Sequence, residues 1–167
     1  MHIAAIFATG PGGEFGGPDG LPWVCPEDLD YFRNTTHGHA VLMGSTTRKT
    51  LKAPLPDRLN LVLTRKRLPF SNLTKKNDIY VQSLHEAVTL AEAAGHSKFF
   101  VIGGADVLRY CLPHCHSMYR NVIMGVTGTV DTFFEAPEDW PVTHYHQYNT
   151  FHSFVQTNPR PLKLVRL

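Results

Sequence analysis

Residues 16–32 read G-G-P-D-G-L-P-W-V-C-P-E-D-L-D-Y-F, a glycine-rich segment that runs into a carboxylate among apolar neighbours. Pro26 suits the first turn of a helix, where its missing N–H costs little, so a helix is predicted to start there. Such a helix places Asp28, Leu29 and Phe32 along one side, with Trp23 and Leu21 nearby. A carboxylate in that company loses hydration, which disfavours its charged form and raises its pKa toward a range useful for proton traffic. The plainer alternative is that Glu27 and Asp28 only complement the positive end of a helix dipole.

Upstream, Ile3 to Ala8 is an apolar run closed by Thr9-Gly10-Pro11, which suits a strand buried on both faces at the centre of a sheet. The glycines from Gly10 to Gly20 then form either a mobile lid over a pocket or an ordinary surface loop. Downstream, Ala40 to Gly44, Leu59 to Thr64, Ile79 to Val81, Lys98 to Ile102 and Met118 to Val126 read as strands. Val142 to Val155 and Leu162 to Leu167 read as a closing antiparallel pair. Helices are predicted from Ser45 to about Leu51, with Ser45, Thr46 and Thr47 able to cap the start, from Leu84 to Ala94 and from Ala105 to Cys111. A strand that ends in Gly103-Gly104 before a helix lets a pyrophosphate approach the backbone, although neither G-x-G-x-x-G nor a triphosphate-loop motif is present. The basic triplet Arg65-Lys66-Arg67 at a strand's carboxyl end is a second candidate phosphate contact, and otherwise a solvated turn.

With 167 residues, 43% hydrophobic and 18% charged, the chain suits one globular domain spanning residues 1–167. A formal charge of +2 is too small to argue for nucleic acid. Cys25, Cys111 and Cys115 lack a disulfide framework and favour a reducing compartment. No secretory signal is seen at the start and no run approaches the roughly 20 apolar residues that cross a bilayer. The expectation is a cytoplasmic monomer that binds neither membrane nor nucleic acid. The cluster Cys111, His114, Cys115, His116 and the pair His144, His146 lack zinc-finger spacing, so no metal is expected.

G-L-P-W (20–23), P-E-D-L-x-x-F (26–32), V-L-M-G-S-T-T (41–47), L-P-D-R-L-N-L-V-L-T-R (55–65) and F-V-I-G-G-A (100–105), in that order, resemble dihydrofolate reductase over nearly the whole chain. The resemblance implies an α/β fold: a central, mostly parallel eight-stranded sheet with an antiparallel C-terminal strand, flanked by about four helices. It implies NADPH as cofactor and dihydrofolate and antifolate-like molecules as ligands. Asp28 matches the acid that grips the pterin and supports N5 protonation, with Trp23 and Asn121 as its companions, Asn121 standing where a threonine is common. Ile3, Leu29, Phe32, Arg33, Leu51, Arg58 and Ile102 match substrate contacts, Arg58 pairing with the glutamate tail. Ala5 and the lid residues Gly16, Gly17, Asp19 and Gly20 match the nicotinamide side. Gly44, Ser45, Thr46, Thr47, Leu63, Thr64, Arg65, Gln82, Ile102, Gly103, Gly104, Ala105, Asp106, Val107 and Leu108 match the remaining cofactor contacts, Gly103-Gly104 being the pair that the family joins by a cis peptide. Ser45 replaces a customary basic residue, so phosphate charge must come from Arg65, Lys66 or Arg48. Leu108 replaces a customary tyrosine. These departures leave open a weak or inactive folate- and NADPH-binding homologue; a pyrimidine reductase of riboflavin synthesis with the same fold is the other alternative.

Overall fold

The computed structural model describes residues 1–66, 74–75 and 78–164; Arg67 and the end of the predicted last strand, residues 165–167, lie outside the described residues. The elements in order are β1 (His2–Thr9), β2 (Glu14–Gly16), α1 (Pro26–Thr36), β3 (Ala40–Gly44), α2 (Ser45–Thr50), β4 (Leu59–Leu63), β5 (Thr74–Lys75), β6 (Asp78–Val81), α3 (Leu84–Ala93), β7 (Lys98–Gly103), α4 (Ala105–Cys111), β8 (Ser117–Ile123), β9 (Thr132–Phe133), β10 (Val142–Gln147) and β11 (Phe151–Thr157). Alternate residues of a strand face opposite sides of its sheet, and β1 is apolar on both. Ile3, Ala5 and Phe7 pack with Leu84, Ala87, Val88 and Ala91 of α3 and with Leu108 of α4. Ala4 and Ile6 pack in a second layer, which Tyr31 and Phe32 of α1 cover.

The main sheet runs β10-β11-β8-β1-β7-β3-β4-β6-β5. Its eight longer strands are those of the expected architecture, and the two-residue β5 adds an edge. Pairings from β8 through β6 are parallel and those of β11 with β8 and with β10 are antiparallel. β1 sits between β7 and β8, as its two-faced burial predicted. The closing pair is corrected: β10 and β11 form a hairpin within residues 142–157, and residues 161–164 are not a strand. A turn at residues 148–151, closed by Tyr148 N–H on Phe151 O at 2.9 Å, splits what reads in sequence as one long run.

The glycine loop is pinned to the segment that follows β8. β2 pairs with β9, Asp131 N–H donates to Gly16 O (3.0 Å), and Thr127 and Gly128 N–H both donate to Pro22 O (3.0 and 2.9 Å). Gly17 and Gly20 bond each other across the G-P-D-G turn, with Gly20 at φ +110. A Cβ at Gly17 would run into the Thr129 carbonyl oxygen, a backbone atom with no rotamer to yield. Gly17→Ala is therefore expected to cost about 1–3 kcal/mol, the usual range for overpacking; an unchanged urea midpoint would show that the loop gives way freely.

Candidate active site

Asp28 lies on the first turn of α1, behind Pro26, and is 7% exposed. Asn121 of β8, also buried, donates Nδ2–H to Asp28 Oδ1 at 2.7 Å. Burial pushes the Asp28 carboxyl above the ordinary aspartate range, and the hydrogen bond from Asn121 opposes that rise. Leu21 and Leu29 do not seal this acid as expected, being 54% and 49% exposed. Trp23 does lie buried beside the β8 end, in a cluster with Ile123 and Phe151. Trp23 Nε1 and Asn121 Oδ1 are buried without a protein hydrogen-bond partner, a donor and an acceptor that call for partners from outside the chain.

Sheet register corrects two expected contacts. Asn121 is level with Ala8 in β1, whereas Ile3 is five residues further back, about 16 Å along a strand. The Ile3 carbonyl accepts from His116 N–H at 2.7 Å, at the far end of the sheet. Ala5 is level with Val101, so one more step brings Ile6 alongside Ile102. Ile6 and Ala8, rather than Ile3 and Ala5, are thus level with Ile102 and Asn121. The six consecutive apolar residues Ile3 to Ala8 hide this offset in the sequence.

On the α1 side, Phe32 and Leu51 join the apolar layer with Ile102, and Leu55, absent from the expected set, joins them. Arg33 points outward in a pair with Asp30 (2.7 Å), while its carbonyl serves Arg58. Arg58 donates Nε–H to Thr36 Oγ1 (2.9 Å), one NH1 hydrogen to Pro56 O (2.8 Å) and one NH2 hydrogen to Arg33 O (2.9 Å). That commits three of a guanidinium's five N–H groups and leaves one on each terminal nitrogen, the pair a carboxylate takes bidentately.

On the other side, Gly103-Gly104 is a cis peptide. Gly104 faces Thr47 Oγ1, where a Cβ would sit at 3.4 Å, and a Cβ on Gly44 would come within 3.0 Å of Val107. The starts of α2 and α4 therefore converge on backbone that side chains leave bare. Gly44, not Ser45, is the N-cap of α2, and neither that cap nor Gly104 at α4 carries a side-chain bond, so Ser45, Thr46 and Ala105 amides remain open to an anion. Asp106 pairs with Arg109 at 3.0 Å, and Leu108, fully buried in the core, cannot face a ligand as expected. Leu63, Thr64, Arg65 and Gln82 gather at the end of β4: Thr64 N–H donates to Val81 O, Lys66 N–H to Thr64 Oγ1 (3.1 Å) and Gln82 Nε2 to Lys66 O (3.4 Å). Arg48 is not available to supply phosphate charge, because Nε is bound to Asp78 Oδ2 at 2.6 Å.

Cys111 and Cys115 are buried, with burial pushing the Cys111 thiol up to about 12, and no group of three or more His, Cys, Asp or Glu side chains suited to a metal forms among the described residues.

A family model described as dihydrofolate reductase matches residues 2–158. The chain belongs to the dihydrofolate reductase family. Dihydrofolate reductase of Bacillus subtilis (strain 168) is 34% identical over 121 residues, 72% of this chain and 68% of the relative. That of Haemophilus influenzae is 30% identical over 144 residues, 85% of each. The solved dihydrofolate reductase from Enterococcus faecalis complexed with NADP(H) and RAB-propyl superposes with a TM-score of 0.77 at 25% identity, covering 94% of this chain and 96% of that one. Within the dihydrofolate reductase family, then, this chain is an enzyme whose buried acid is supported by an asparagine and whose helices α2 and α4 start behind glycine caps.

Proposed function

We propose that this chain reduces dihydrofolate to tetrahydrofolate with NADPH, and that residues 1–167 act as one domain, a sheet from residue 2 to residue 157 supporting that extent. The buried Asp28–Asn121 pair is the observation that carries the reading. NADPH, when bound, supplies the hydride that goes to pterin C6. Asp28 orients the pterin through its amino group and ring nitrogen and supports proton delivery from solvent to N5; Asn121 holds the carboxylate and Trp23 Nε1 offers a buried donor beside it. Phe32, Leu51 and Leu55 wall the pterin and benzoyl groups, and Ile6 within β1 and Ile102 near the end of β7 offer carbonyls. Antifolates such as methotrexate would compete for the same place. Ser45, Thr46, Thr47 and Gly103 to Val107 hold the diphosphate, and Arg65 and Lys66, both exposed at the end of β4, supply the positive charge that favours NADPH over NADH. The free, buried state of Cys25, Cys111 and Cys115 supports a cytoplasmic protein, and we take it to be a monomer. No helix among the described residues is long and apolar enough to cross a membrane.

Loss of reduced-nicotinamide absorbance, measured with dihydrofolate and each cofactor in turn, tests the assignment: turnover with NADPH is expected, and none with either cofactor would overturn it. Arg58→Lys is expected to raise KM for dihydrofolate several-fold, roughly the tenfold that 1.4 kcal/mol represents, with little change in kcat, because an ammonium cannot span a carboxylate while keeping the three existing bonds. A fall in kcat at constant KM would place Arg58 elsewhere.

A further inference from the structure

Asp28 and Asn121 belong to segments that are distant in sequence, and their 2.7 Å hydrogen bond survives only if the start of α1 and the end of β8 keep their separation. Beside the apolar contacts of Phe151 with Ile123 and Tyr31, one polar residue of the β10–β11 turn touches both. Thr150, in the turn between β10 and β11, donates its N–H (3.2 Å) and its hydroxyl (2.7 Å) to Glu27 Oε2, in the residue before Asp28. The same hydroxyl lies 3.2 Å from Cys25 Sγ, at the cap of α1. Its carbonyl accepts from Met124 N–H at 3.1 Å, directly beyond β8. Every polar group of Thr150 is thus spent on bridging the two segments that meet at the buried acid. Cys25 makes no side-chain cap bond, so the first turn of α1 takes its restraint from this outside contact. The hairpin is itself locked to the other half of the pair, since Ser153 of β11 is level with Asn121.

We propose that Glu27 and Thr150 are positioning residues for the reaction, a latch that sets the Asn121–Asp28 contact by fixing the start of α1 against the end of β8. This rests on the reading of Asp28 given above. The latch acts on the acid through Asn121. Loosening it withdraws a hydrogen bond from the charged form of Asp28, so the acid is expected to titrate at higher pH, in the direction Asn121→Ala produces. The contacts are solvent-facing, so their stability effect is small and their effect on geometry is the sensitive readout. The other titratable groups against this turn are Cys25, Tyr31, Tyr148 and His146, the last meeting Tyr148 edge-on with ring centroids 4.4 Å apart.

The test follows the Asp28 carboxyl by carbon-13 NMR and the pH profile of hydride transfer in the wild type, Thr150→Val, Thr150→Ser and Glu27→Ala, each also in an Asn121→Ala background. His146→Phe, which keeps an aromatic ring edge-on to Tyr148, serves as a control for that neighbour. Thr150→Val and Glu27→Ala are expected to move both midpoints upward and to raise KM for dihydrofolate about fivefold, the equivalent of one ordinary hydrogen bond. Thr150→Ser is expected to restore both, and no further movement is expected once Asn121 is Ala. Midpoints that stay in place while Tm falls would overturn the latch and leave Thr150 a purely structural residue; so would a shift that persists without Asn121. A wild type lacking dihydrofolate-dependent NADPH oxidation would instead overturn the reading of the site, an outcome distinct from a latch that fails in an active enzyme.

Discussion

Asp28→Asn is expected to lower turnover of dihydrofolate by about 10² to 10⁴ near neutral pH, the range that positioned acid–base groups supply, while making the folded chain more stable there. Both halves come from the same burial. The amide keeps the oxygen that accepts from Asn121 and keeps the volume, so the pocket is preserved and only the ionisable proton is lost. The folded state raises the pKa of Asp28 above its ordinary value of 3.8, which means that folding favours the protonated acid. That contribution to stability is complete below the unfolded value and is lost as pH rises through the folded one, where the carboxyl takes on a charge in a buried place. Asparagine carries no such charge. Thermal unfolding at a series of pH values should show the variant more stable at neutrality, with the gap closing in acid. A variant that is less stable at pH 7, or one with near wild-type hydride transfer, would contradict the role given to this carboxylate.

Asp78→Ala is expected to destabilise the fold by about 3 kcal/mol, well above the cost of removing an exposed pair. Arg48 Nε and Asp78 Oδ2 are 2.6 Å apart, their side chains only 15% and 5% exposed, and Arg48 also donates to the Leu51 carbonyl at 3.0 Å. The alanine leaves a mostly buried guanidinium without its counter-charge, and it frees the C-terminal end of α2 from β6. Because Leu51 belongs to the apolar wall near Phe32, KM for dihydrofolate should rise as well. Urea unfolding measures the first effect, and the double replacement Arg48→Met with Asp78→Leu should recover most of it, since burying two apolar groups avoids the desolvation that the ion pair has to offset. A single-variant loss below about 1 kcal/mol would mean that the pair behaves as though it were on the surface.

Where local chemistry specifies local structure, the chain was readable. Pro26 does open α1, the apolar run 40–44 is β3 to the residue, and the i, i+3, i+4, i+7 pattern of Leu84, Ala87, Val88 and Ala91 is the buried face of α3. What sequence could not carry was level and partnership. The uniform run from Ile3 to Ala8 holds no internal mark of which carbonyl stands beside Ile102; that is decided by β7 and β8 on either side. Arg48 reads as a free cation until β6 brings Asp78 against it from thirty residues away. The acid Asp28 and its neighbour Asn121 were each visible, but their distance was not, and Thr150 carried no signal at all, since a threonine in a polar turn is unremarkable until the turn is seen folded against α1.

The place of β1 in the middle of the sheet has a consequence for biosynthesis. Its two flanking strands are residues 98–103 and 117–123, so this strand leaves the ribosome with no neighbour to pair with. At the usual rate of about 5 to 20 residues per second, translation must continue for roughly 5 to 20 seconds before either edge is covered. Through that interval a short segment, apolar from Ile3 to Ala8, is exposed in the nascent chain, which makes it the natural foothold for a chaperone and the segment whose premature self-association would divert newly made protein into aggregates.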